Sequence, residues 1–224
     1  MNFLSHFYFD RDTTNPELVL GCVLPDLVKN ANKSWNLHPE KKGDLFEESD
    51  KLKSILTGWQ RHLDVDRYFH SSDFFMEHTQ AIRKAVAPIL INSEVRPSFL
   101  AHISLELMLD SILINLKKIN AHHFYDQLAK VERDSVKLFL ELNQVIDTKK
   151  FFRFFDQFLE VNYLHSYSES DNLIYALNRI CMRLWSDPLT DEEKLQLGVV
   201  LMDYQKDLEG CYMHIFDDLE GRLD

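Results

Sequence analysis

Seven residues in the first half of the chain are of the types that hold metal ions: His6, Asp26, His62, Asp66, His70, His102 and Glu106. Two pairs among them, His62/Asp66 and His102/Glu106, lie four residues apart in mostly apolar sequence. On a helix that step puts both side chains on one face. An imidazole and a carboxylate converging on one point suit a divalent metal such as Mn, Fe or Zn. The chemistry such a site carries is metal-assisted hydrolysis.

Spacing alone does not decide the matter. With 36 acids in 224 residues, chance would give the ten histidines one or two acids at the fourth position, and six have one. Context decides. His102 and Glu106 sit among Phe99, Leu100, Ala101, Ile103, Leu105, Leu107, Met108 and Leu109. A glutamate ionised there is costly without a cation. A metal answers that cost, and so does a buried salt bridge. His62, Asp66 and His70 are successive four-residue steps on one helix face, the arrangement used in bundle-core metal sites. The competing reading is a solvated polar stripe.

His6 lies between Leu4 and Phe7, where a hydrogen-bonded core histidine is the ordinary alternative. Asp26 follows Pro25 in LGCVLPDLV, where a helix cap or first-turn acid is the alternative. Asp110 is placed to orient a ligand histidine. His38, His78, His122, His123, His165 and His214 read as surface or structural. Glu106 and Asp26 are the candidate proton acceptors.

These residues need helices to position them. The sequence predicts helices over 15–24, ending at Pro25, over 49–70, 72–89 and 97–118, and then over 121–145, 148–164 and 170–186. A last helix starts at Thr190, where Thr-Asp-Glu-Glu forms a capping box, with a break near Gly210. Residues 30–48 read as a loop or lid. The 97–118 segment is apolar nearly all round and belongs at the centre of a bundle. No segment alternates with period two for long. The expected fold is therefore all-α, one multi-helix domain over residues 1–224.

Bulk composition fits that expectation. Apolar residues make up 45% of the chain, enough for a substantial core, while six Gly and six Pro favour long helices. The net charge of −11 argues against nucleic acid as a partner. Residues 29–67 differ, with eight Lys/Arg against seven Asp/Glu. They are the natural source of any surface that favours an anionic partner, although solvated lysines are an equal reading. No apolar run approaches the ~20 residues of a membrane span. Three scattered cysteines and an N-terminus without a basic region point to the cytoplasm. No dinucleotide, P-loop or serine-hydrolase motif is present.

At these residues the chain resembles bacterial acyl carrier protein phosphodiesterase. MNFLSHFYF, with His6, is similar to that family's N-F-L-A/S-H start. ELVLGCVLPDLVKN, with Asp26, resembles its L-L-G-N-x-x-A-D block. GWQRHLDVDRYF places His62 and Asp66 on its H-x-x-x-D, and YALNRICMRL places Arg179 and Arg183 on its A-L-x-R-x-x-x-R-L. CYMHIFDDLEG is similar to the family's F-F-P-D-L ending. Departures fall on ligand-type positions: His70 stands where the family has Asp, and His102 and Glu106 stand on its D-x-x-x-D helix. Pro25 before Asp26 looks more like zinc-dependent phospholipase C. Both belong to a broad HD-like helical group, so the resemblance implies an HD-domain-like bundle. It also implies a metal-dependent phosphodiesterase acting on the phosphopantetheine diester of holo-acyl carrier protein, with Arg61, Arg179 and Arg183 as its candidate phosphate contacts, since a guanidinium fork matches phosphate oxygens. The alternatives are another metal-dependent phosphohydrolase, acting on a phospholipid head group or a nucleotide, and a non-catalytic helical binding protein.

Overall fold

The computed structural model describes residues 1–223, with residues 170 and 171 described by backbone alone. The helices are α1 (Phe3–Tyr8), α2 (Pro16–Ala31), α3 (Asp50–Ser71), α4 (Asp73–Val86), α5 (Pro97–Asn115), α6 (Ala121–Ala129), α7 (Arg133–Leu142), α8 (Thr148–Val161), α9 (Ser170–Cys181), α10 (Asp191–Leu208) and α11 (Met213–Leu223). Among the described residues there is no strand. The all-α expectation holds.

Two compact units emerge. One comprises Met1–Ser5, Arg67–Lys118 and His165–Asp224, and the other His6–Asp66 and Ile119–Leu164. In the first unit α5 packs against α4, α9 and α10, and α10 also packs on α4 and α9. Leu100, Leu105, Leu109, Ile112 and Leu113 of α5 are fully buried. By length and apolar composition alone α5 could cross a membrane, but most of it is covered by protein. It is the central helix of its unit, as its all-round apolar sequence requires.

In the second unit α2 packs against α6 and α8, and α8 against α6 and α7. Phe46, Phe124, Phe139, Phe151 and Phe155 fill its core, with Phe46 and Phe139 stacked at 4.9 Å. The Asn15 side chain accepts from Leu18 N and caps α2, with Pro16 at its first position. α2 does not stop at Pro25, as the sequence suggested, but runs on to Ala31. A proline inside a helix costs about 3 kcal/mol. Leu20, Leu24, Leu27 and Val28 lie on either side of it and are buried, and their packing outweighs that cost.

Other boundaries moved less. Residues 39–46 are not a plain loop but two short 3-10 turns, Pro39–Lys41 and Gly43–Phe46, with Phe46 anchored in the core. The predicted 121–145 helix is two helices, α6 and α7. The capping box of Thr190 and Glu193 is present at the start of α10.

Candidate metal centres

α2 and α3 touch backbone to backbone. A Cβ on Gly21 would lie 2.3 Å from the Ile55 carbonyl oxygen, and one on Gly58 would lie 2.3 Å from that of Leu18. Real Cβ atoms do not approach so closely, so only glycine fits at either place. One turn beyond Gly58, His62 is buried and its Nδ1 donates to the Cys22 carbonyl at 2.8 Å. A carbonyl only accepts, so Nδ1 carries the hydrogen. The Nε2 of His62 is thereby turned toward Asp66 Oδ2, at 3.5 Å.

His6 completes this group. Its ring stacks on that of His62, with centroids 3.8 Å apart. It is 1% exposed, and neither ring nitrogen has a hydrogen-bond partner among the described residues. Its Nε2 lies 3.3 Å from Asp66 Oδ1, without hydrogen-bond geometry. Burial, and then the neighbouring His62, push the His6 imidazole down to about 3. Burial opposes ionisation of Asp66, yet its carboxyl, beside the two imidazoles, is held well below its usual range. An ionised carboxylate thus faces a neutral, unpartnered imidazole and the Nε2 of a second. The donor atoms of His6, His62 and Asp66 all lie within 4.8 Å of one another. A divalent cation would satisfy all three, and the Cys22 carbonyl behind His62 is the kind of partner that orients a ligand histidine.

The second group belongs to the other unit. His70 Nε2 and His102 Nε2 are 3.2 Å apart, and both face Glu106 Oε1, at 3.3 Å and 3.0 Å. The Met1 amine lies 3.1 Å from the same oxygen. Burial works against ionisation of Glu106, but the amine and the hydrogen bonds from His102 and His70 outweigh it and keep the carboxyl well below its usual range. These three ligand atoms also lie within 4.8 Å of one another. Each group offers two imidazoles and one carboxylate, a set suited to Fe, Mn or Zn.

Six of the seven candidate ligands therefore fall into two groups of three. Asp26 belongs to neither. It is half-buried on α2, one turn beyond Cys22 and on the same helix face. Arg61 pairs with the buried Asp10, which also accepts from the Cys22 thiol at 2.7 Å. Arg179 and Arg183 are exposed on and just beyond α9, outside both groups. Asp110 does not orient a histidine. Fully buried, it accepts from Leu4 N at 3.2 Å, Ser5 N at 2.7 Å, Ser5 Oγ at 2.6 Å and Asn2 Nδ2 at 2.9 Å, and so ties down the first turn of α1.

The sequence reading missed the Gly21–Gly58 contact, the Cys22 carbonyl and Asp10. Two mid-helix glycines in a chain with only six were a usable signal for the first. A backbone acceptor leaves none.

A family model for acyl carrier protein phosphodiesterase matches residues 1–219. The chain belongs to the acyl carrier protein phosphodiesterase family. No curated protein and no solved structure matches it. The match runs through both ligand groups, the Gly58–His62 turn and the α9 arginines. The resemblance drawn from MNFLSHFYF and GWQRHLDVD is therefore that of a phosphodiesterase family named for acyl carrier protein.

Proposed function

We propose that this chain is a metal-dependent phosphodiesterase that cleaves the phosphopantetheine diester of holo-acyl carrier protein. The observation that carries the metal reading is the locked His62 ring. With Nδ1 committed to the Cys22 carbonyl, its Nε2 meets an ionised Asp66 beside the unpartnered His6. The family match carries the substrate reading.

In this reading His6, His62 and Asp66 hold one divalent ion, and His70, His102 and Glu106 offer a second seat. When bound, a divalent ion supplies Lewis acidity and offsets the charge of the phosphoryl oxygens. Asp10 fixes one nitrogen of Arg61 and leaves the rest of its fork for phosphate. Arg179 and Arg183 are the corresponding candidates in the other unit. Asp26, one turn beyond Cys22 on the same face of α2, is the candidate acceptor for the proton of the attacking water. Glu106 is the weaker proton acceptor, because its Oε1 is already surrounded by donors. The whole chain acts as one hydrolase domain, and its three free thiols suit the reducing cytoplasm.

The test is mass spectrometry of holo-carrier protein incubated with the purified chain and Mn²⁺ or Zn²⁺. The carrier should lose the mass of its phosphopantetheine arm, and a chelator should stop the loss. An arm that stays attached under every metal condition sinks the proposal.

A further inference from the structure

We infer that a lysine patch made by the end of α2 and the start of α8 is the docking surface for the carrier protein, and that its charge selects a carrier with an acidic face. This rests on the carrier reading above. The patch consists of Lys29, Lys33, Trp35, Lys149 and Lys150. Lys29 Nζ donates to Asn36 Oδ1 at 3.2 Å, and Lys150 Nζ lies 5.8 Å from the centre of the Trp35 ring. The 32–38 turn thus joins the lysine-bearing ends of two helices that pack together. Lys29, Lys33 and Lys149 are exposed. Among the described residues Lys29, Lys149 and Lys150 pair with no carboxylate. In the same unit Lys51 is neutralised by Glu132 at 2.6 Å and Lys53 by Asp50 at 3.7 Å.

Helix stability does not account for the cluster. Lys29 suits the C-terminal end of α2, but Lys149 and Lys150 occupy the first turn of α8, where the helix dipole is already positive. Asp147 caps that turn, with its carboxylate accepting from Lys150 N at 3.0 Å. Local positive potential therefore concentrates on a chain whose net charge is −11. An acidic protein is repelled by the chain as a whole and can approach only where the field is locally reversed.

Placement supports the same partner. The diester joins the carrier directly to its arm, so the carrier must sit against the reacting phosphate. α2 reaches the His62 group at Cys22, and Lys29 stands seven residues further along, a rise of about 10 Å. Cys22, Asp26 and Lys29 share one helix face. That is within the footprint of a docked protein.

The test is the affinity of holo-carrier protein for the full chain, by fluorescence anisotropy at low and high salt. Cleavage by the wild-type chain is followed in parallel. The Lys29→Glu/Lys150→Glu pair should bind the carrier at least ~10-fold more weakly, and wild-type binding should weaken as salt rises. Lys29→Gln/Lys150→Gln should weaken it in the same direction, and carries the test if the Glu pair loses helix content. Lys84→Glu/Lys206→Glu, the same charge change elsewhere, should bind like the wild type. Patch variants that bind like the wild type, or like that control, overturn the docking surface while leaving wild-type cleavage of the carrier intact. A wild-type chain that neither binds nor cleaves the carrier overturns the carrier reading as well.

Discussion

Gly58 meets Gly21 so closely that a Cβ on Gly58 would fall 2.8 Å from the Gly21 carbonyl carbon and 2.7 Å from Cys22 N. This contact sets the distance between α2 and α3, and with it the hydrogen bond from His62 to the Cys22 carbonyl. Gly58→Ala should therefore force the helices apart, lower stability by about 1–3 kcal/mol and reduce bound metal. Gly43→Ala, where a Cβ would meet nothing within 4 Å, should cost little. Thermal melts and metal content of the two variants check this. A Gly58→Ala protein that melts and loads like the wild type would refute the packing argument.

Metal should stabilise the fold. Without a cation, ionised Asp66 faces the neutral, buried His6. Added Zn²⁺ or Mn²⁺ at a hundred times its dissociation constant contributes about 2.7 kcal/mol. Calorimetry should show the wild-type Tm rising with metal and falling with chelator, and His62→Ala should respond far less. Equal responses would place the ion elsewhere.

His70 replaces the carboxylate suggested by the family pattern, and it makes the second group richer in nitrogen. His70→Asp should move preference from Zn²⁺ or Fe²⁺ toward Mn²⁺ or Mg²⁺, since carboxylates favour harder ions. Competition titrations of the two proteins read this directly. An unchanged order of metals would mean that His70 is not a ligand.

Asp110 should leave a pH signature. Burial pushes its carboxyl up to about 7, against the four donors that favour its charged form. Between about pH 4 and pH 7 the folded chain holds a proton there that the unfolded chain has released. This group's contribution to stability therefore falls as pH rises through that window, by at most about 1.4 kcal/mol per pH unit. In Asp110→Asn that slope should vanish, so denaturant-derived stabilities of the two proteins should converge or cross with rising pH. Curves that stay parallel would contradict it.

Much of this was legible in the sequence, because the cues were local. The apolar run around His102 announced a buried helix, and Thr190 with Glu193 announced a helix start. The four-residue steps put His62 with Asp66 and His102 with Glu106. What was not legible depended on tertiary contacts. Pro25 reads as a stop until buried leucines on both sides carry α2 through it. Asp110 resembles a partner for a histidine, but its partners are the main-chain N–H groups of Leu4 and Ser5 and the side chains of Asn2 and Ser5, and a main-chain donor has no sequence signature. Asp26 sits in a ligand-like motif yet outside both groups, since only the packing of α2 on α3 fixes which side chains converge.

The most direct test of the account is the metal content of the chain purified without chelator, measured by elemental analysis beside a His62→Ala/His102→Ala variant. Stoichiometric Mn, Fe or Zn in the wild type that disappears from the variant is the predicted result. A wild-type chain that holds none, even after Mn²⁺ or Zn²⁺ is added, would contradict the metal-dependent reading outright.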